Sequence, residues 1–499
     1  MTAAAILRAA PVVPCAPWPR HVLTPGAWAA LVAALPASPA LDLRAMWADS
    51  QQIYTLFHDR ISNDFIPASV QVDGASYLAL SPPRPAAAWF ERMIHDLWGH
   101  VAEGGTDLRP WLDHGKWDQH APMSPRATPA LAAPGPPEFL LTEGIDLHQI
   151  AVGPVHAGII EPGHFRFTAQ GETIVSLEIR LGYLHKGTLG LMRGKSPRAA
   201  ARFAARLSGD STVAHSIAFA RAAEAACALE APPRALGLRG VMAELERIAN
   251  HLGDCGAIAN DASFAFLFAR FGLHREAILC ASAAAFGHRL MMDCVIPGGV
   301  ALDLAQDSAD SILRALLDIE AELPQLLRVY DDTSSLVDRM IGTGTLRPDH
   351  VAAFAPGGIV GRAAGLPLDL RVSPGYAPYT DVEIPVLDSA DVDARFRIRV
   401  AEITVSIDLL RRLLAELPEG PLNLPLPLAS GEGIGWAESF RGDCWHWVRL
   451  DAGQIAAVFM RDPSWLQWPL LEAAVYNNIV ADFPLINKSF NCSYSGVDL

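Results

Sequence analysis

The sequence predicts a small α+β N-terminal domain, then a large domain built mainly as an α-helical bundle with peripheral antiparallel β elements. Three observations carry this reading. Before residue 121, short alternating apolar runs lie beside one amphipathic helical stretch. Between 122 and 137 stand Pro122, Pro125, Pro129, Pro134, Pro136 and Pro137 with Gly135, a composition that holds neither a helix nor an inner strand and reads as a linker. From about 197 to 340, apolar residues recur with helical period through long alanine-rich runs. The predicted units are therefore 1–121, the linker 122–137, and 138–499.

Each element has its own signal. Residues 68–80 alternate and read as a hairpin turning at Asp73-Gly74. Residues 89–99 place Phe90, Ile94, Leu97 and Trp98 on one helix face, and Gly99 fits the helix end. In the large unit, 145–152 and 164–168 form a candidate antiparallel pair, followed by the alternating run 173–181. Helical periodicity covers 198–206, 211–230, 238–259, 274–292 and 308–340, with Gly209 marking a bend between the first two. Residues 341–400 return to loops rich in Gly and Pro, and 399–417 is helical again. Residues 444–450 and 454–460 form a hairpin candidate, and the glycine cluster 431–435 reads as a turn.

Composition narrows the classes. The chain has 499 residues, 51% of them hydrophobic and 19% charged, with a formal charge of −15. Its mean hydropathy is +0.21, which points to large buried helix faces and a broad subunit interface. Acidity without a basic run argues against nucleic acid and anionic lipid as partners. No stretch reaches the ~18–20 apolar residues of a membrane span; the run 213–229 is interrupted by His215, Arg221 and Glu224. Residues 1–20 make a poor signal peptide, and seven scattered cysteines, no two of them three apart, read as free thiols of a cytoplasmic protein. No glycine fingerprint follows a strand, so NADH, if used, is bound by another subunit.

Several strings carry a family resemblance. They are GPVHAGIIEPGHFRF at 153–167, LGYLHKG at 181–187, ELERIANHLGD at 244–254, IPGGV at 296–300 and GIVGRAA at 358–364. With them, the large unit resembles the large subunit of the membrane-bound, energy-converting nickel-iron hydrogenases of the formate-hydrogenlyase type. It is equally similar to the 49-kDa subunit of respiratory complex I. WFERMIHDLWG at 89–99, followed by Asp107-Leu-Arg109, resembles the 30-kDa subunit of complex I. The segments 206–215 and 491–499 resemble the places where the hydrogenases carry two Cys-x-x-Cys pairs. In that pattern Ser208 and Ser211 stand for the first pair, and Ser493 and Gly496 for the second. Nickel in such a site needs soft anionic sulfur; a serine hydroxyl stays protonated and glycine offers no ligand. The four are read as vestigial metal positions, with no metal held.

The resemblance implies an electron-transfer subunit of a membrane-associated complex related to NADH-quinone oxidoreductase and hydrogenase. It holds no cofactor of its own. A small iron–sulfur partner carries a 4Fe-4S cluster, and membrane ion-translocating subunits lie beyond it. The complex sits on the inner face of the cell membrane. With its partner the chain would form a cavity for a quinone-like acceptor; the alternative is a non-catalytic scaffold coupling a redox arm to a membrane arm. By resemblance, His156 and His164 lie on the loop that reaches the quinone head group, where an imidazole can donate a proton. The tyrosine expected on the following helical segment is missing, so the donor is sought among Asp210, Ser211 and His215. Asp210 reads either as a proton relay with raised pKa in a dry cavity or as a helix cap, and His215 reads best as a buried structural histidine. Glu246, Arg247, Asn250, His251 and Asp254 recur at helical spacings, as a network coupling the cavity to the membrane arm or as a structural ion network. Arg362 matches the arginine that overhangs the metal; without metal it serves a redox group or pairs with Asp369 or Asp381. Glu91, Arg92 and Asp96 read as a docking surface, and Trp436, Trp445, Trp447, Trp465 and Trp468 as core or interface.

Overall fold

Alternating apolar residues early in the chain build a five-stranded sheet, ordered Val12–Val13, Arg20–Leu23, Asp64–Gln71, Gln52–Asp59, Leu41–Ala48. This is seen in a computed structural model that describes residues 2–72, 74–125, 127–129, 138–140, 142–157 and 160–499. Asp64–Gln71 runs antiparallel to Gln52–Asp59 and parallel to Arg20–Leu23, so both its edges are taken. The expected hairpin across residues 68–80 therefore does not form, and Ser76–Leu78 pairs in parallel with Val101–Glu103. Asp73 lies outside the described residues, as do Pro134, Pro136 and Pro137 of the linker. The helix Ala88–Trp98 stops where Gly99 turns left-handed (φ 74°), as read from the sequence. Its charged residues are internal staples rather than a docking surface. Glu91 accepts from the backbone of Leu80 and Ser81, Arg92 donates to the carbonyls of Arg109 and Pro110, and Asp96 accepts from the amides of Trp111 and Leu112.

The large unit opens with the antiparallel sheet Leu147–Val152, His164–Gln170, Thr173–Arg180. Helices follow at Pro197–Ala204, Thr212–Ala226, Pro233–Asp261, Ala265–Phe286, Gln306–Asp332 and Val392–Ala415. None of the helices, among the described residues, is long and apolar enough to cross a membrane. Near the C-terminus Gly431–Ser439, Gly442–Asp451 and Gln454–Arg461 form an antiparallel meander, which includes the expected hairpin.

The glycine cluster is a strand, not a turn. Gly431, Gly433 and Gly435 point one way along Gly431–Ser439, with the period of two of a strand. A Cβ added to each would fall 2.1–2.2 Å from the carbonyl oxygens of Ala226, Ala222 and Ala218. Those alanines repeat every fourth residue on the helix Thr212–Ala226, so strand and helix backbones meet in contact. The fit seats the middle and C-terminal end of that helix against the strand. The N-terminal sheet closes on the other side of the meander. Ala16 bridges Gly433, Trp18 lies 4.8 Å from Trp436, and Arg44 pairs with Asp443 at 2.6 Å. The five tryptophans named above are all buried.

Candidate functional site

The chain reverses after the extended Ser208, makes one tight turn over Gly209–Ser211, and enters the helix at Thr212. The C-terminal segment arrives opposite it. Asn491 is left-handed (φ 50°), Cys492 and Ser493 follow, and a last short helix spans Ser495–Asp498. The two segments, 285 residues apart, meet at their serines, Ser208 Oγ lying 2.7 Å from Ser493 Oγ. The Ser493 hydroxyl also accepts the amide of Gly496 at 3.0 Å. Ser211 is buried, and its hydroxyl finds no hydrogen-bond partner among the described residues. The four positions singled out in the sequence thus lie on two segments that the fold brings together, with the Ser208 and Ser493 hydroxyls bonded to each other. Space beside Gly496 is taken, since an added Cβ would lie 2.7 Å from Cγ of Asp462.

Next to these positions opens a cavity of about 820 Å³. Its wall includes Ser208, Asp210, Arg441, His156, Lys488 and Tyr494. Arg441 donates from both terminal nitrogens to Asp210, at 2.7 and 2.5 Å, and from Nε to the Asn491 carbonyl. The expected rise of the Asp210 pKa is overturned. The guanidinium beside it, with the Ser208 hydroxyl 2.9 Å from Oδ1, holds the carboxyl below its usual range against the opposing effect of burial. Asp210 also does not cap the helix, because its carboxylate is spent on Arg441.

His156 sits on the loop between the first two strands and lines the cavity, its Nε2 unpartnered among the described residues. Burial lowers its pKa, so the ring is neutral near pH 7. His164 does not line the cavity; it begins the second strand, with Nδ1 3.3 Å from the Gly153 carbonyl and its ring against Phe139. Tyr494, which sequence reasoning passed over, lines the cavity 6.1 Å from the His156 ring, with its hydroxyl buried and Asn487 among its polar neighbours. It lies between two of the vestigial positions and was there to be read. Arg441 was not, since its partner Asp210 lies 231 residues away.

His215 stays outside the cavity, as the structural reading expects. It is fully buried, 3.0 Å from His446 and 2.9 Å from Asp462. Arg362 does not line this cavity either. It bonds Glu402 at 2.7 Å and Glu438 at 2.9 Å and approaches Asp369 at 3.4 Å, not Asp381.

The polar helix splits in two. Arg247 and His251 converge on Glu402; burial alone would raise that carboxyl, but the Arg362 and Arg247 guanidiniums and the hydrogen bond from His251 hold it well below the carboxylate range. Glu246 instead accepts the amides of Val213 and Ala214, under the start of the helix, and burial pushes it up to about 8. Asp254 pairs with Arg399 at 3.0 Å and accepts from Asn491 at 2.8 Å. The spacings of four do not make side-chain pairs, because each group finds a partner on another element. Asn250, for example, donates to the backbone carbonyls of Asp210 and Glu246.

Comparison with known proteins agrees with this architecture. Residues 261–429 match the family model of the 49-kDa subunit of respiratory-chain NADH dehydrogenase. The chain is 28% identical over 461 residues to formate hydrogenlyase subunit 5 of Escherichia coli, across 89% of this chain and 81% of the relative. It is 30% identical over 282 residues to an NADH-quinone oxidoreductase subunit of Granulibacter bethesdensis, across 56% of this chain and 70% of the relative. In fold it is similar to a chain of the membrane-bound sulfane sulfur reductase, an archaeal respiratory membrane complex. The TM-score is 0.67 at 22% identity, across 71% of this chain and 99% of the other.

Proposed function

We propose, for a chain that belongs to the family of the respiratory NADH dehydrogenase 49-kDa subunit and its hydrogenase relatives, that it forms an acceptor cavity where the hydrogenases hold nickel and iron. A four-thiolate metal centre does not fit the residues present. Two hydroxyls are bonded to each other, one position has no side chain, and Asp462 fills the space beside it. The acceptor is a small neutral molecule of the quinone class. The single observation that carries this is the cavity of about 820 Å³ against Ser208 and Ser493, whose wall includes His156, its Nε2 unpartnered among the described residues, and Tyr494, its buried hydroxyl beside Asn487.

The residues divide the work. His156 and Tyr494 donate hydrogen bonds to a head-group carbonyl and, as it is reduced, relay to it protons drawn from solvent. Arg441 and Asp210 present a closed ion pair, which leaves that part of the wall without net charge and suits a neutral ligand. A 4Fe-4S cluster in a small partner subunit supplies the electrons, and membrane subunits hold the assembly at the inner face of the membrane. The buried polar network of Arg247, His251, Arg362 and Glu402 favours a second reading, a coupling scaffold that performs no chemistry itself.

The test is turnover by the purified assembly. With the cluster reduced, short-chain ubiquinone or menaquinone analogues are reduced at a rate that Tyr494→Phe and His156→Gln lower at least tenfold. No turnover with any quinone, with an intact cluster present, would support the scaffold instead.

A further inference from the structure

Behind the vestigial positions, and outside the cavity wall, three side chains with metal-binding atoms converge. His215 comes from the first turn of the helix Thr212–Ala226, Cys444 from the strand Gly442–Asp451, and Asp462 from just after the strand Gln454–Arg461. All three are fully buried. His215 Nε2 lies 2.9 Å from Asp462 Oδ2 and 4.0 Å from Cys444 Sγ, and one ligand atom from each fits within 4.8 Å. Atoms bound to one tetrahedral zinc ion at about 2.0–2.3 Å stand roughly 3.3–3.7 Å apart, so shifts of under about 1 Å would complete the set.

The surroundings match what holds such ligands in place. His215 Nδ1 lies 3.0 Å from His446 Nε2, an outer partner that sets the tautomer and leaves Nε2 free to ligate. Asp462 Oδ1 accepts the Ser464 amide at 2.8 Å, which leaves Oδ2 for a metal. Ser211, whose buried hydroxyl has no partner among the described residues, sits one helical turn before His215.

We propose that His215, Cys444 and Asp462 form a structural site for a borderline-soft divalent cation of the zinc type. The mixed nitrogen, sulfur and oxygen donors suit that class. On binding, the Cys444 thiol gives its proton to solvent, and thiolate and carboxylate together neutralise the ion. No electron moves. The site clamps the start of the helix to the C-terminal meander and so fixes the turn Gly209–Ser211 at the cavity edge. It departs from the sequence expectation of a chain without metal, and it stands whether or not a quinone binds.

The test uses the full chain, expressed and refolded with Zn²⁺ or Co²⁺ present because the ligands are buried. After desalting, about one equivalent of zinc stays per chain, and X-ray absorption reports one sulfur neighbour at about 2.3 Å with nitrogen and oxygen at about 2.0–2.1 Å. The cobalt form shows a thiolate-to-metal charge-transfer band that Cys444→Ser removes and Cys492→Ser, at the cavity wall, keeps. Less than about a tenth of an equivalent of metal, a shell without sulfur, or a band that follows Cys492 would each overturn the proposal. The absorption measurement needs only the natural chain, so a variant that fails to fold does not blunt the test.

Discussion

Asp210→Asn is the perturbation that probes the cavity's charge most simply. Arg441 is 4% exposed and Asp210 is 40% exposed, so the carboxylate is the more open member of an ion pair whose two residues both line the cavity. Removing the negative charge leaves one uncompensated cation at the wall. A bound anion about 5 Å away, at an effective dielectric of about 20–40, then gains roughly 1.5–3 kcal/mol. That is about 10- to 100-fold in Kd for a sulfonated naphthoquinone, whereas an uncharged naphthoquinone of the same size changes less than about threefold. Arg441→Gln does the reverse and weakens the anion. The assay is titration of the purified assembly near pH 7, where the depressed pKa keeps Asp210 ionised, followed by tryptophan fluorescence at low and high salt. The charge effect shrinks as salt rises. Equal shifts for the two probes, or no tightening of the anion, would refute the placement of the ion pair at the ligand.

Three further outcomes follow from the same geometry. Glu402→Gln leaves the fully buried Arg362 and Arg247 short of their carboxylate; a loss of about 3–5 kcal/mol is expected, read as a lower urea midpoint, and a midpoint within error of the natural chain contradicts it. Glu246, pushed up to about 8, keeps its proton in the fold after the unfolded chain has lost it near 4.5, so this group's stability is full below pH 4.5 and falls as pH rises towards 8. Glu246→Gln removes that slope, and its stability relative to the natural chain should rise by about 3 kcal/mol between pH 4.5 and 7; a difference that stays flat argues that Glu246 is ionised throughout. Restoring cysteine at 208, 211, 493 and 496 together should not restore nickel binding in a host that matures hydrogenases, because the Cβ at 496 lands on Asp462; stoichiometric nickel would show the space is still open.

Much of the helical part was legible because long runs such as Pro233–Asp261 carry their period within themselves. The strand pair Leu147–Val152 and His164–Gln170 was legible for a similar reason, being a local pairing across one loop. Elements whose meaning is set far away were not. The strand Asp64–Gln71 takes a parallel partner from about forty residues earlier, which uses the edge a local hairpin would need. Gly431, Gly433 and Gly435 look like a turn until the alanine ridge of Thr212–Ala226, some two hundred residues back, is laid against them. In the site, Ser208 and Ser493 were found through motif positions. The sign of the Asp210 shift was not, because it depends on Arg441, a partner across 231 residues. The polar helix shows the same limit: spacing put Arg247 and His251 on one face, but Glu402 on Val392–Ala415 gathers them.

The cavity itself is tested most directly by covalent capture. An azido-quinone, bound to the intact assembly and photolysed, should label this chain in peptides holding residues 153–157 or 491–495, the stretches that carry His156 and Tyr494. A filled pocket (Ser493→Phe) should abolish that label. Label that falls only on other subunits, or that Ser493→Phe leaves unchanged, would contradict an acceptor site beside Ser208 and Ser493.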